Sequence, residues 1–189
     1  SLDDHSWASL DGAKLPEKSE ENWRYLKWGK LKKIHFHGDF KNKLSHLDDL
    51  DLPHLDGYVI VIENGVFNDK ASHIPANTVG LDFSVNQHHA LPENDSYFDV
   101  LNTYFVNKSV KISTASNVEI KDPINIVYVI TSSEGLVNTN TKFNLATNST
   151  LTINEFYLSS DETINGLTNH HCCISIENKA RLVLNRYQY

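Results

Sequence analysis

"VKISTASNVEIKDPINIVYVIT", residues 110–131, packs three short apolar segments into 22 positions: Val110–Ser113, Val118–Ile120 and Asn125–Thr131. Polar residues separate them. The same texture continues downstream in "KFNLAT" (142–147), "LTINEFYL" (151–158), "HCCISIE" (171–177) and "RLVLNRYQY" (181–189). Leu151 and Ile153, like Cys172, Ile174 and Ile176, follow the period of two expected of a half-buried strand. Many short strands at such close spacing predict a mainly β chain, built as a sandwich or as a β-solenoid. Thirteen of the 20 asparagines fall in the last 88 residues, many at strand edges. Asparagine tolerates corner conformations, and hairpin turns such as Asn-Gly are scarce here, so stacked solenoid coils are favoured over a sandwich.

Upstream the pattern is different. Pro16 suits a first helical turn, Glu17, Glu20 and Glu21 suit its positive end, and Gly29 is a stop signal. In this predicted helix Trp23 neighbours Lys27 and Arg24 neighbours Trp28 at i,i+4, with Lys30, Lys32 and Lys33 after it. "YVIVIENGVF" (58–67) is an apolar run carrying Asn64-Gly65, a strong hairpin signal. "ALPENDSYFDVLNTYFVNKS" (90–109) predicts a central helix, with Phe98, Leu101 and Phe105 as an apolar stripe and Asp95 or Ser96 as cap. The chain thus divides into a helical and mixed α/β region, 1–108, and a β region, 109–189.

A chain of 189 residues that is 40% hydrophobic can bury a substantial core. Its net charge of −7 argues against a surface that tracks nucleic-acid phosphates. No apolar run approaches the roughly 20 residues a bilayer-spanning helix needs. The acidic start Ser1-Leu2-Asp3-Asp4 is no signal peptide. Adjacent Cys172 and Cys173 do not reach disulfide geometry, which points to a reducing, cytoplasmic compartment. Glycosylation-type triplets at Asn94, Asn107 and Asn148 carry little weight in so asparagine-rich a chain.

The densest set of metal-ligating side chains is "NHHCCISI" (169–176). A strand sends His170 and Cys172 to one face and His171 and Cys173 to the other, so the four do not converge on one ion. Cys172, Ile174 and Ile176 read as an inward apolar row, with His171, Cys173, Ser175 and Glu177 outward. The alternative is a two-residue half-site completed from another coil or subunit, since a closed metal site takes about four ligands. His35 and His37 share a strand face near Asp39 but read as a solvated pair, and His88-His89 lacks an acidic partner. Trp23, Arg24 and Tyr25 read as a docking anchor rather than a binding patch. There is no phosphate loop and no Gly-x-Ser-x-Gly elbow. Nothing in the sequence brings Glu134, Glu155 or Glu162 together as a carboxylate pair. No catalytic, cofactor-binding or metal-binding residue is assigned, and the chain reads as a non-enzyme.

Three stretches carry a family resemblance. "LPEKSEENWRYLKWGKL" (15–31) resembles the Leu-Pro…Glu-x-Trp-(Arg/Lys)-Tyr first helix of the SufB/SufD family of iron–sulfur cluster assembly proteins. "FDVLNTYFVNKSVKISTASNVEIKDPINIVYV" (98–129) is similar to that family's Leu-Asn segment and the start of its β-helix. "TLTINEFYLSS…LTNHHCCISIENKARLVLNRYQY" (150–189) is similar to its later strands. The matches are collinear from Leu15 to Gln188. A helical opening with no cysteine before residue 172 looks more like the SufD branch than the SufB branch.

The resemblance implies a right-handed parallel β-helix after an N-terminal helical region. It implies a non-enzymatic scaffold that pairs with a SufB-like subunit and a SufC-like ATPase. No cofactor is expected on this chain itself; the assembled complex handles the iron–sulfur cluster. Nucleic acid and membrane are not expected partners. Asn107-Lys108-Ser109 departs from the family's glycine-containing turn, and the chain stops at Tyr189 where family members add further coils and a helical domain. It therefore looks like a fragment, expected to self-associate through an open β-helix end. The competing readings are a β-helix polysaccharide-active enzyme and a secreted adhesin.

Overall fold

The computed structural model describes residues 16–17, 19–21, 37, 50, 52–73, 78–87, 96–106 and 108–188. Nine strands and one α-helix account for most of them. In order they are β1 (Tyr58–Glu63), β2 (Val66–His73), β3 (Leu81–Gln87), α1 (Tyr97–Phe105), β4 (Lys108–Thr114), β5 (Ile124–Ile130), β6 (Leu136–Leu145), β7 (Thr150–Ser159), β8 (Leu167–Ile176) and β9 (Arg181–Gln188). The protein is mainly β. Of the expected helix over 15–31, only residues 16–17 and 19–21 are described.

Two sheets share the strands, one ordered β2-β1-β5-β7-β9 and the other β3-β4-β6-β8. From β4 onward, successive strands alternate between the sheets, and each pairs in parallel with the strand two places on. The offset is nearly constant. Ser109 faces Asn140 and Asn154 faces Asn185, each 31 residues apart, while Asn125 faces Asn154 at 29. β1 joins β5 in parallel, while β2 and β3 are added antiparallel. The two sheets are therefore mixed, and they run across the expected boundary at residue 108.

The Asn64-Gly65 turn joins β1 to β2 with φ of 49° and 79°, the double positive-φ geometry of a two-residue hairpin. The corners between later strands use single left-handed residues. Asn117, Asn148 and Lys179 have φ of 60°, 57° and 57°. The Asn117 N–H donates to the Thr147 carbonyl and the Asn148 N–H to the Asn178 carbonyl, so one corner stacks on the next.

β5 is buried on both faces, as an interior parallel strand should be. Its Ile124, Ile126 and Tyr128 enter the main core with Ile60, Ile112, Phe143, Leu145, Leu151 and Ile153. Its Val127 and Val129 join Val59, Val61 and Phe156 on the opposite face, under Leu50, Leu52 and Leu55. Helix α1 begins after extended Ser96, which holds the expected cap position without a side-chain capping bond, and packs on β6 and β8. The expected stripe is buried only in part: Leu101 is buried and Phe98 half-buried, but Phe105 is exposed and Val100 and Asn102 are buried with Leu101. The reason is polar docking. The Asn102 side chain donates to the carbonyls of Thr139 and Asn169 at 2.9 and 2.8 Å, rotating that face inward.

The inward apolar row expected at Cys172, Ile174 and Ile176 also needs correcting. Ile174 and Ile176 lie beside buried Phe143 and Leu145 in register, so they share their face. Yet they are 43% and 49% exposed, because β8 is the last strand of its sheet among the described residues and no neighbour covers them.

Candidate functional site

Parallel in-register stacking places equivalent positions of successive strands in columns on the same face. In the first sheet, one inward column runs Ile60, Ile126, Glu155, Arg186 and another runs Ile62, Tyr128, Tyr157, Gln188. In the second, Val110, Thr141 and Cys172 form a column beside Thr139 and His170. Each column starts apolar and turns polar. The polar ends meet between the sheets.

At the centre is Glu155, whose side chain is wholly buried, with His170 at 8% exposure. Arg186 donates to Glu155 Oε2 from Nε at 2.9 Å and from Nη2 at 2.7 Å. The Tyr128 hydroxyl donates to Oε1 at 3.3 Å, and His170 Nε2 lies 3.5 Å from the same oxygen. His170 is itself held: its Nδ1 is 2.8 Å from the Thr139 hydroxyl and its Nε2 is 3.2 Å from that of Thr141. Tyr128 and Tyr157 stack at 4.6 Å and 10°, and the Arg186 guanidinium sits 5.6 Å from the Tyr157 ring centre.

These contacts set the charge states. Burial alone would raise the Glu155 carboxyl, but hydrogen bonds and charge from His170 and Arg186 outweigh it and hold it below its ordinary value. Arg186 loses solvent too, yet the Glu155 carboxylate keeps its guanidinium more firmly protonated than usual. Burial pushes the Tyr128 and Tyr157 hydroxyls upward, and the Glu155 charge adds to it. The Cys172 thiol is raised by burial first, against a lowering hydrogen bond from Thr141. Glu155 is thus an anion and Cys172 a thiol.

A cavity of about 650 Å³ adjoins the cluster, with Tyr157, Thr168, His170, Cys172 and Arg186 among its walls. Glu155, His170 and Cys172 each present one donor atom, all within 4.8 Å of one another. A carboxylate, an imidazole and a thiol converging beside a cavity can share a proton or bind a cation.

The expected split of "NHHCCISI" is observed. His170 and Cys172 face inward, Cys173 is exposed, and His171 Nδ1 lies 3.8 Å from Asp99 of α1 on the outer face. His37 is exposed and tied to the loop before β6, its Nε2 2.9 Å from the Ser133 carbonyl. His35, Asp39, His88, His89, Trp23, Arg24 and Tyr25 lie outside the described residues. Glu134 and Glu162 are exposed, apart from buried Glu155. The roles of Glu155 and Arg186 escaped the sequence reading. The signal was present: Glu155 continues the alternation Leu151, Ile153, and Arg186 continues Leu182, Leu184.

No protein-family model matches this chain, and no curated protein matches it. Among the described residues, no helix is long and apolar enough to cross a membrane.

Proposed function

We propose that this chain is a SufD-like scaffold of an iron–sulfur cluster assembly complex, folded as a right-handed parallel β-helix after its N-terminal helical and mixed region. It pairs with a SufB-like subunit and a SufC-like ATPase in the cytoplasm and has no catalytic activity of its own. One observation carries the reading: parallel pairing at a near-constant offset of 29 to 31 residues occupies the stretch where the resemblance puts the β-helix. A stack of coils is a stiff platform that holds partner surfaces at fixed separation. Polysaccharide cleavage is less well supported, because buried Glu155 is committed to Arg186 instead of facing an open groove.

Depletion of the protein in its own cells tests this. Activities of several unrelated iron–sulfur enzymes should fall together while their polypeptides persist, and re-expression should restore them. Unchanged iron–sulfur enzymes with a defect in polysaccharide use would overturn the proposal.

A further inference from the structure

We propose that Glu155, His170 and Cys172 form a site for one divalent transition-metal ion, open to the adjoining cavity at its remaining position. The inference stands on the cluster's geometry and does not require the scaffold reading. Four-coordinate zinc binds imidazole nitrogen and carboxylate oxygen at about 2.0–2.2 Å and thiolate at about 2.3 Å, which puts neighbouring donors about 3.3–3.8 Å apart. His170 Nε2 and Glu155 Oε1 already stand at 3.5 Å. All three donors lie within 4.8 Å of one another, so the widest pair has about 1 Å to close. Cys172, on the cavity wall, can supply that movement by turning about its side chain.

The surroundings are those of a supported metal site. A metal-bound histidine is aligned through its other nitrogen, and Thr139 holds His170 Nδ1 at 2.8 Å while Nε2 faces Glu155 at 3.5 Å and the Thr141 hydroxyl at 3.2 Å, a contact that a bound ion would displace. Arg186 occupies Glu155 Oε2 and leaves Oε1 to the Tyr128 hydroxyl at 3.3 Å and the histidine at 3.5 Å. Metal binding displaces the Cys172 proton to solvent, and the resulting thiolate, imidazole and single carboxylate oxygen select zinc, iron(II) or cobalt(II) over magnesium and calcium, which take oxygen donors. His170 and Cys172 also line the 650 Å³ cavity, so the fourth position faces space large enough for a small molecule.

The test uses the metal-free protein with zinc and cobalt(II) salts alone. Calorimetry should show one zinc per chain, and cobalt(II) should give a thiolate-to-metal charge-transfer band. Cys172→Ser should abolish that band, and Cys172→Ser and His170→Gln should each weaken zinc binding at least tenfold. Cys173→Ser and His37→Ala should leave both readouts unchanged. Thermal unfolding of each variant without metal reports whether it folds, and zinc should raise the midpoint of the wild-type protein and the controls alone. No zinc-dependent shift in the wild-type protein, or equal binding and an intact band in Cys172→Ser, would overturn the site.

Discussion

Glu155 is wholly buried, and an isolated carboxylate there would be strongly disfavoured. Arg186 is the partner that makes it tolerable, although 47% of the Arg186 side chain meets solvent. That exposure screens part of the attraction, so Arg186→Ala should cost about 1–3 kcal/mol, less than for a fully buried pair. Urea unfolding measures it, and a change below about 0.5 kcal/mol would show that solvent already compensates Glu155. The pH dependence has a defined sign. The Glu155 carboxyl ionises more readily folded than unfolded, so its stabilisation is present above the ordinary glutamate range, near pH 4.3, and is lost as pH falls through the folded value. Wild-type stability should drop on acidification in that range, and Glu155→Gln should flatten the drop; parallel curves would contradict it. Cys173, exposed, should react with a thiol reagent in the folded state well before Cys172, which burial holds as the thiol. The opposite facing of the two cysteines was legible from alternation. The cluster was not, because its donors come from strands β7 and β8 in different sheets, and local periodicity carries no information about which strands face each other.

At the scale of elements, asparagines do two jobs that were only half visible in the sequence. Their tolerance of left-handed corners was legible and is used at Asn117 and Asn148. Their stacking was not, because it depends on the offset between strands. Asn185 donates to Asn154, Asn154 to Asn125, and Asn125 to the carbonyls of Asp56 and Tyr58, forming one continuous ladder. Asn154→Ala breaks two of these bonds and leaves neighbouring amides short of a partner, so it should lower stability by about 1–3 kcal/mol. Thermal or urea unfolding of the variant checks this, and a neutral result would mean that water replaces the ladder. Helix α1 teaches the converse lesson. Its existence and the cap position of Ser96 were readable from pattern, but its buried face only at Leu101, since Asn102 docks through hydrogen bonds that a hydrophobic stripe does not register.

For the whole molecule, the parallel pairing of alternate strands accounts for the polar pocket. Apolar columns in β1, β4 and β5 give way to Glu155, His170, Cys172 and Arg186 in β7 to β9. A mainly β chain of short strands was legible from residues 110–189; the alternation between two sheets was not, because pairing partners lie about 30 residues apart. The scaffold proposal makes its sharpest statement about assembly. Native mass spectrometry of the protein isolated under gentle conditions from its own cells tests it most directly. The account predicts a complex containing a second β-rich subunit and an ABC-type ATPase, with no polysaccharide-cleaving activity. A protein that runs without either partner and degrades a polysaccharide would contradict it.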